Sequence, residues 1–374
     1  MSRRLTVAAG AAVAIAASAG LALPAIDPGS GGDARPIAMD TYDRPGRLVT
    51  LPDHRRLNLR CSGRGSPLVL LESGFGIGSA AWPKLQPMIA SRTRVCSYDR
   101  AGYGFSDPGP MPRHGAAIAR DLDYGLRAAG LSGPYVVVGH SAGGLYAQLF
   151  AGRRRREVVG LVLVDPSVAY QDKRMAAIFG AGAGSVEPIR RRVQRCLAAA
   201  QAGGAAVRDP AFAECVGANA SPEVRAEGLR PELWRTQLSE LDTLFTDTSD
   251  QRARLGTVIR DVPTIVLTAS RTGEAAAADA PGERVWEAVH RDLAAEFSRG
   301  SQRLVKSGHL MMNDRPDAVA AAVQDLVEAS RRGGGQASLG ATGLRLPRAS
   351  RAGRHYAGIG RLQARRVPSS GSDA

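Results

Sequence analysis

The chain has 374 residues, of which 44% are hydrophobic, with 44 glycines and 22 prolines. This composition is typical of one large globular domain with insertions, or of two smaller domains. The 49 Lys and Arg residues exceed the 35 Asp and Glu residues and give a formal net charge of +14. The excess is mainly arginine, without interleaved aromatic residues or a nucleic-acid motif. We therefore expect no nucleic-acid partner.

Residues 1–25 have the pattern of a secretory signal. Arg3 and Arg4 precede a stretch of Ala, Gly and Val, and Ala17-Ser18-Ala19 is a small-residue cleavage motif. An uncleaved membrane anchor is the alternative, because the stretch approaches spanning length. We expect a secreted or periplasmic protein, with membrane attachment only if this segment stays uncleaved. Residues 26–46 are rich in Pro, Gly and Asp and are expected to be a linker.

Short apolar segments alternate with helical patterns over most of the remaining chain. The helical pattern is clearest at residues 118–129 and 284–297. Such alternation favours a mainly parallel sheet with helices on both faces, so we predict an α/β fold with eight strands. The expected strands are residues 48–51, 57–61, 67–72, 93–98, 134–139, 161–165, 264–269 and 302–306.

Two segments depart from this alternation. Residues 167–261 have helical and polar patterns without a convincing strand, and we predict an inserted helical cap there. Residues 333–374 are rich in Gly, Ser and Arg, and they are expected to be a disordered basic tail because they bury little apolar surface. The predicted core is therefore residues 47–166 and 262–332.

A glycine-lined turn carries the strongest chemical signal. Residues 135–138 predict a buried strand, Gly139-His140-Ser141-Ala142-Gly143-Gly144 follows, and apolar residues then recur at helical spacing. This order has the form of a nucleophile elbow, in which a strained serine projects from the sheet edge. Glycine at 139 and 143 would leave room for the neighbouring strand and helix. Ser141 is therefore the expected nucleophile.

The chain resembles the α/β-hydrolase fold family, specifically its serine hydrolases with a cap after strand 6. Five motifs occur in the family's order, and the likeness covers about residues 47–332 apart from the cap. They are Ser73-Gly74-Phe75-Gly76, the run Tyr98 to Ser106, the elbow at Ser141, Val164-Asp165-Pro166, and Gly308-His309. The resemblance implies His309 as the general base, directly after strand 8.

The acid of the triad is open between two residues. Most family members place it shortly after strand 7, where this chain has Glu274. Some relatives use an acid at the end of strand 6, where Asp165 would lie beside strand 5 on the same edge as Ser141. We favour Asp165 and keep Glu274 as the alternative acid.

Two backbone amides are the expected oxyanion donors. One belongs to Ala142, directly after the nucleophile, and the resemblance implies Phe75 for the other. The loop from Glu72 to Gly78 also imitates a dinucleotide-binding fingerprint, but it lacks the full G-x-G-x-x-G spacing. An oxidoreductase would leave Ser141 without a role, so no cofactor is expected.

The four cysteines form no C-x-x-C pair, and we expect no metal site. In the family sheet strands 2 and 4 are neighbours, which would bring Cys61 close to Cys96. Cys196 and Cys215 both lie in the expected cap. With an export signal, two disulfides are the simplest interpretation, and free buried thiols in a cytosolic protein are the alternative.

The resulting hypothesis is an exported serine esterase that forms an acyl-enzyme on Ser141 with a small-molecule ester. A proline-iminopeptidase-like amidase is the first alternative, because the cap decides the substrate. A non-catalytic binding protein that retains the hydrolase fold is the second. A serine at position 141 argues against dehalogenase or epoxide hydrolase chemistry, which uses an aspartate nucleophile. The sequence does not specify the oligomeric state.

Overall fold

The computed structural model describes residues 39–203, 210–217, 220–271 and 281–339. The expected signal, most of the expected linker, Glu274 and most of the expected tail lie outside the described residues. The chain divides into two units, Met1–Gly334 and Gly335–Ala374. Apart from the last residues of the final helix, the account below concerns the first unit.

Eight strands form one sheet in the order β1-β2-β4-β3-β5-β6-β7-β8. Strand β2 runs antiparallel to both β1 and β4, and every other neighbouring pair is parallel. The strands are β1 (Arg47–Thr50), β2 (Arg56–Ser62), β3 (Leu68–Glu72), β4 (Val95–Tyr98), β5 (Tyr135–His140), β6 (Val158–Val164), β7 (Thr264–Ala269) and β8 (Gly300–Val305). The mainly parallel eight-stranded α/β sheet predicted from the sequence is confirmed.

The described residues form twelve α-helices, which connect the strands and cover both faces of the sheet. They are α1 (Leu85–Ala90), α2 (Gly115–Ala128), α3 (Gly143–Arg153), α4 (Gln171–Phe179), α5 (Glu187–Ala202), α6 (Pro210–Val216), α7 (Pro222–Gly228), α8 (Pro231–Leu244), α9 (Asp247–Arg254), α10 (Pro281–Ala295), α11 (Met311–Asp314) and α12 (Pro316–Leu339). Two short 3-10 helices, Met39–Asp43 and Ser79–Ala81, complete the regular structure.

The central strand β5 shows why the sheet needs helices on both sides. All six of its residues are buried. Val136 and Val138 belong to the apolar cluster that includes α12, whereas Tyr135 and Val137 belong to the cluster that includes α2, α3 and α10. Alternate residues of a strand point to opposite faces, so a continuous apolar run buries both faces at once.

The segment between β6 and β7 contains helices α4 to α9, and no strand occurs in its described part. A third apolar cluster joins these helices to the core, with Trp234 and Leu244 from α8 beside Phe75, Tyr103 and Tyr146. We refer to residues 171–254 as the helical segment. Among all described residues, no helix combines the length and apolar composition that crossing a bilayer requires.

Strand and helix boundaries differ from the predicted ones by a few residues. Strand β6 begins at Val158 instead of residue 161, because Val158 pairs with Tyr135 before an irregularity in the register. Strand β8 begins at Gly300 instead of residue 302. Helix α12 continues to Leu339, beyond residue 332, where the core was expected to end.

Both cysteine pairs that the resemblance implies lie at disulfide distance. The sulfur atoms of Cys61 and Cys96 are 2.01 Å apart, and these residues are register partners on β2 and β4. The sulfur atoms of Cys196 and Cys215 are 2.05 Å apart, which joins α5 to α6 in the helical segment.

Candidate active site

Ser141 lies at a sharp turn between β5 and α3. Its φ of 52° is in the left-handed region that residues other than glycine rarely adopt. The turn is fixed by hydrogen bonds, since the Ser141 N–H donates to the Val164 carbonyl (3.1 Å) and the Ser141 carbonyl accepts from Gly144 (2.9 Å). The local structure is thus the strained strand-to-helix turn expected from the sequence.

Two glycines allow the backbone segments around this turn to approach closely. A Cβ at Gly139 would lie 2.5 Å from the Gly143 carbonyl oxygen, and a Cβ at Gly143 would lie 2.5 Å from the Glu72 carbonyl oxygen. Both distances are too short for any side chain. Helix α3 therefore packs directly on β5 and on the loop that follows β3, which we call the β3 loop (residues 73–78).

Three side chains from the carboxyl ends of three strands meet at this turn. His309, in the loop after β8, places Nε2 3.1 Å from Ser141 Oγ and Nδ1 2.6 Å from Asp165 Oδ2, directly after β6. Ser141 is 3% exposed, His309 9% and Asp165 0%. With Nδ1–H donated to the carboxylate, the lone pair of Nε2 faces the serine hydroxyl. The structure brings Ser141, His309 and Asp165 together, while Glu274 lies outside the described residues.

Asp165 accepts hydrogen bonds on both carboxylate oxygens. Oδ1 accepts from the indole N–H of Trp286 on α10 (2.8 Å) and from the Ala269 N–H at the end of β7 (3.1 Å). Burial alone would raise the pKa of the Asp165 carboxyl, but the hydrogen bond and the electrostatic interaction with His309, with smaller effects from His290 and Trp286, hold this pKa below its usual value. Asp165 is therefore ionised and held in a fixed orientation.

The two expected oxyanion donors lie in segments that contact Ser141. A Cβ at Gly74 would be 3.1 Å from the Cβ of Ser141, so the β3 loop lies directly against Ser141. Within the described residues, neither the Phe75 N–H nor the Ala142 N–H has a recorded acceptor. Both residues are buried. Buried N–H groups are rarely left unpaired, so this pair is what a site for a developing negative charge requires.

His140, directly before Ser141, contacts the loop after β8 that carries His309. Its Nε2–H donates to the His309 carbonyl oxygen (3.0 Å), and the two rings lie 4.8 Å apart between centroids. Burial and the nearby His309 lower the pKa of His140 to about 3. His140 is therefore neutral, and it connects the nucleophile turn to the loop after β8.

A cavity of about 720 Å³ lies between the core and the helical segment. Phe75 and Tyr103 line it from the core, and Val193, Leu233 and Trp234 line it from the helical segment. Ser141, His309 and Asp165 are not among the lining residues, whereas Phe75 and Gly76 of the β3 loop are. The described part of the chain contains no cluster of His, Cys, Asp and Glu side chains that could hold a metal ion.

Several groups around the triad were not anticipated from the sequence. Trp286 and His140 reach their partners across 121 and 169 residues of chain, and no local pattern announces either contact. The only available signal for Trp286 was its place in the helical pattern after β7. The contact of Trp286 depends on how that helix is rotated against the sheet, which the pattern of the helix alone does not determine.

Comparisons with known proteins match a family model and several curated proteins to parts of this chain. Residues 68–322, more than half of the chain, match the model of the alpha/beta hydrolase family. The uncharacterized protein YqjL of Bacillus subtilis is 31% identical over 106 residues, which are 28% of this chain and 42% of YqjL. The uncharacterized protein C23C11.06c of Schizosaccharomyces pombe is 42% identical over 163 residues, covering 34% of this chain and 30% of that protein. The chain thus spans less than half the length of these curated relatives.

Among solved structures, a thermophilic esterase from Thermogutta terrifontis superposes with a TM-score of 0.53 and 20% sequence identity. The superposition covers 76% of this chain and 98% of the esterase. At this identity the likeness concerns the fold alone. The family model, the strand order and the turn at Ser141 agree, and the chain is a member of the alpha/beta hydrolase family.

Proposed function

We propose that the protein is a serine hydrolase that cleaves carboxylic esters through an acyl-enzyme on Ser141. The observation that carries the proposal is the chain of contacts from Ser141 Oγ through His309 to the buried carboxylate of Asp165, at 3.1 and 2.6 Å. A serine hydroxyl is a weak nucleophile unless a correctly oriented base removes its proton. An oriented imidazole on one side and unpaired amides on the other are the parts that acyl transfer needs.

In the first half of the reaction, Ser141 Oγ attacks the ester carbonyl while His309 Nε2 takes the hydroxyl proton. The bond to the alcohol then breaks, and His309 returns the proton to the departing oxygen. In the second half, a water molecule loses its proton to His309 and attacks the acyl carbonyl. The bond between the acyl carbon and Ser141 Oγ then breaks, and His309 returns the proton to Oγ as the acid leaves. Asp165 stabilises the imidazolium formed in each half.

The N–H groups of Phe75 and Ala142 are proposed to bind the oxyanion that forms in both halves. Such donors act strongly in a water-excluded site because they need no reorganisation when charge develops. The helical segment is proposed to act as the cap of the active site, within residues 167–261. The cavity beside Phe75 is proposed to receive the substrate group next to the reacting carbonyl.

Export of the protein belongs to the same proposal. Two disulfides in one chain are typical of proteins that fold in an oxidising compartment. The charged and apolar pattern of residues 1–25 supports this location, with the processing of that segment to be tested by N-terminal sequencing of the exported protein.

The test is intact-mass analysis of the purified protein after reaction with a fluorophosphonate. We expect one adduct per chain on the wild type and none on Ser141→Ala. Ser106→Ala is a matched control, because Ser106 is also 3% exposed but its hydroxyl donates to the Asp99 carbonyl and accepts from the Asn58 N–H on β2. This variant should keep the adduct.

A panel of p-nitrophenyl esters and aminoacyl anilides then separates the possible activities. Turnover of esters but not of anilides supports the esterase, and preferred turnover of anilides would make the protein an amidase. A folded protein that forms no adduct and turns over neither class would refute the proposal and favour a non-catalytic binding protein.

A further inference from the structure

The loop after β4 contains Arg100, to which the proposed reaction gives no role. Its side chain is 2% exposed, and it donates from Nη1 to the Ser73 carbonyl (2.7 Å) and from Nη2 to the Gly74 carbonyl (2.8 Å). A buried guanidinium is costly unless it is completely paired. Glu72 lies 3.1 Å from Nη1, and Glu240 lies 3.0 Å from Nε. Arg100 is therefore fixed at the base of the β3 loop.

The contact with Gly74 bears directly on the oxyanion donor. The Gly74 carbonyl and the Phe75 N–H belong to one planar peptide unit, which is not among the cis peptides of the described chain. In a trans unit the N–H points opposite to the C=O. Holding the Gly74 oxygen therefore also fixes the direction of the Phe75 N–H. A cation on the carbonyl further polarises the unit and makes the N–H a stronger donor.

The other side of Arg100 belongs to the helical segment. Glu240 on α8 accepts from Nε (3.0 Å) and Nη2 (3.2 Å) of Arg100, and its Oε2 also accepts from the Tyr103 hydroxyl (2.9 Å). Arg230, at the start of α8, donates to the carbonyls of Gly102 and Gly104 at 3.1 and 2.6 Å. Helix α8 is thus fastened to the loop that carries Arg100.

We infer that Arg100 is a positioning residue that orients the Phe75 N–H toward the oxyanion and connects this donor to helix α8 through Glu240. The inference rests on the proposed function, since it concerns the oxyanion hole of that reaction. It implies that a change in the helical segment, at Glu240, alters the chemical step and not only the binding of substrate.

The test measures kcat and KM for a p-nitrophenyl ester, per active site titrated with fluorophosphonate, and the affinity for a trifluoromethyl ketone. Arg100→Lys keeps the charge but its single ammonium cannot hold both carbonyls and Glu240. We expect kcat to fall about 100-fold, the loss typical of a missing oxyanion donor, with KM changed less than about threefold. The affinity for the ketone, whose adduct carries an oxyanion, should fall in parallel with kcat/KM.

Glu240→Gln is the milder variant, which decides the question if Arg100→Lys does not fold. We expect kcat to fall about tenfold, again with KM nearly unchanged. The matched control is Arg113→Lys. Nη2 of Arg113 and Oδ2 of Asp121 are 2.7 Å apart and form an equally buried ion pair, which does not include the β3 loop. That control should lower the melting temperature and leave kcat per active site unchanged.

If the wild type hydrolyses the ester and the folded Arg100 and Glu240 variants keep its kcat and its affinity for the ketone, this inference alone is overturned. An equal loss of kcat in Arg113→Lys would also overturn it, because the effect would then follow from general destabilisation. A wild-type protein without ester turnover or labelling would overturn the proposed function, and this inference with it.

Discussion

Replacing Asp165 with asparagine changes one atom of the proposed triad and should nearly abolish activity. In the wild type, Oδ1 faces two donors, the Ala269 N–H and the Trp286 indole N–H, and Oδ2 faces His309 Nδ1 at 2.6 Å. An asparagine amide has one oxygen and one NH2 group. Its oxygen must take the place of Oδ1, because the NH2 group would otherwise meet two donors. The NH2 group then faces His309.

This arrangement forces the wrong tautomer on the base. The imidazole must present an unprotonated Nδ1 to the amide, so its proton moves to Nε2 and points at Ser141 Oγ. The ring then has no lone pair for the serine proton. We expect kcat to fall about 10⁴-fold, which corresponds to about 5.5 kcal/mol in the barrier.

The assay is steady-state hydrolysis of p-nitrophenyl acetate at neutral pH, with melting temperatures measured alongside. Glu274→Gln is the control, since the same change from acid to amide is made at the other possible acid. It should keep wild-type turnover. If Asp165→Asn keeps kcat within about tenfold of the wild type while Glu274→Gln loses it, the assignment of the acid is wrong.

Three further predictions follow from other contacts. Trp286→Phe removes the indole N–H that donates to Asp165. We expect kcat to fall about 10- to 100-fold with unchanged KM, since a hydrogen bond to a charged group contributes about 1.5–3 kcal/mol; equal kcat in the folded variant would contradict this. Burial raises the pKa of Glu72 to about 7, so the contribution of this carboxyl to the stability of the wild type should fall as pH rises from about 4.5 to 7. Glu72→Gln should lack this contribution. In urea unfolding, the stability of this variant relative to the wild type should rise by about 3 kcal/mol across that pH range. A difference in stability that does not change with pH would refute the raised pKa of Glu72. Replacing Cys196 and Cys215 together by serine removes a disulfide between residues with a sequence separation of 19. Urea unfolding should then show a free energy of unfolding that is lower by about 3 kcal/mol; an unchanged value would mean that the stability of the helical segment does not depend on this bond.

The predictable parts of the site are those whose geometry depends on residues that are contiguous in the sequence. The turn at Ser141 combines a buried strand, glycines and a helix within one short stretch, so its geometry follows from local sterics. His309 follows the last strand in the family's order. The sheet was predictable for the same reason, since each strand is a local apolar run. Strand β6 began earlier than predicted because its start depends on pairing with Tyr135, far away in sequence.

The remaining parts depend on how distant elements pack. Asp165 and Glu274 were both acceptable acids on the sequence, and the contact of Asp165 with His309 joins residues 144 positions apart. The contact between Arg100 and Glu240 spans 140 positions and depends on the rotation of helix α8. Residue patterns show which side of a helix is apolar, but they do not show which polar group that helix brings to a distant loop.

Two of the four residues other than glycine with positive φ in the described chain are Ser141 and Asp165, with φ of 52° and 42°. The left-handed conformation costs a residue with a Cβ about 1–2 kcal/mol. The fold is therefore weakened at the same two positions that direct the proposed nucleophile and the proposed acid toward one edge of the sheet. This is a trade-off between stability and activity. Ser141→Gly should give an inactive protein that melts at a higher temperature than the wild type, and searches for stabilising mutations in this chain must exclude both positions.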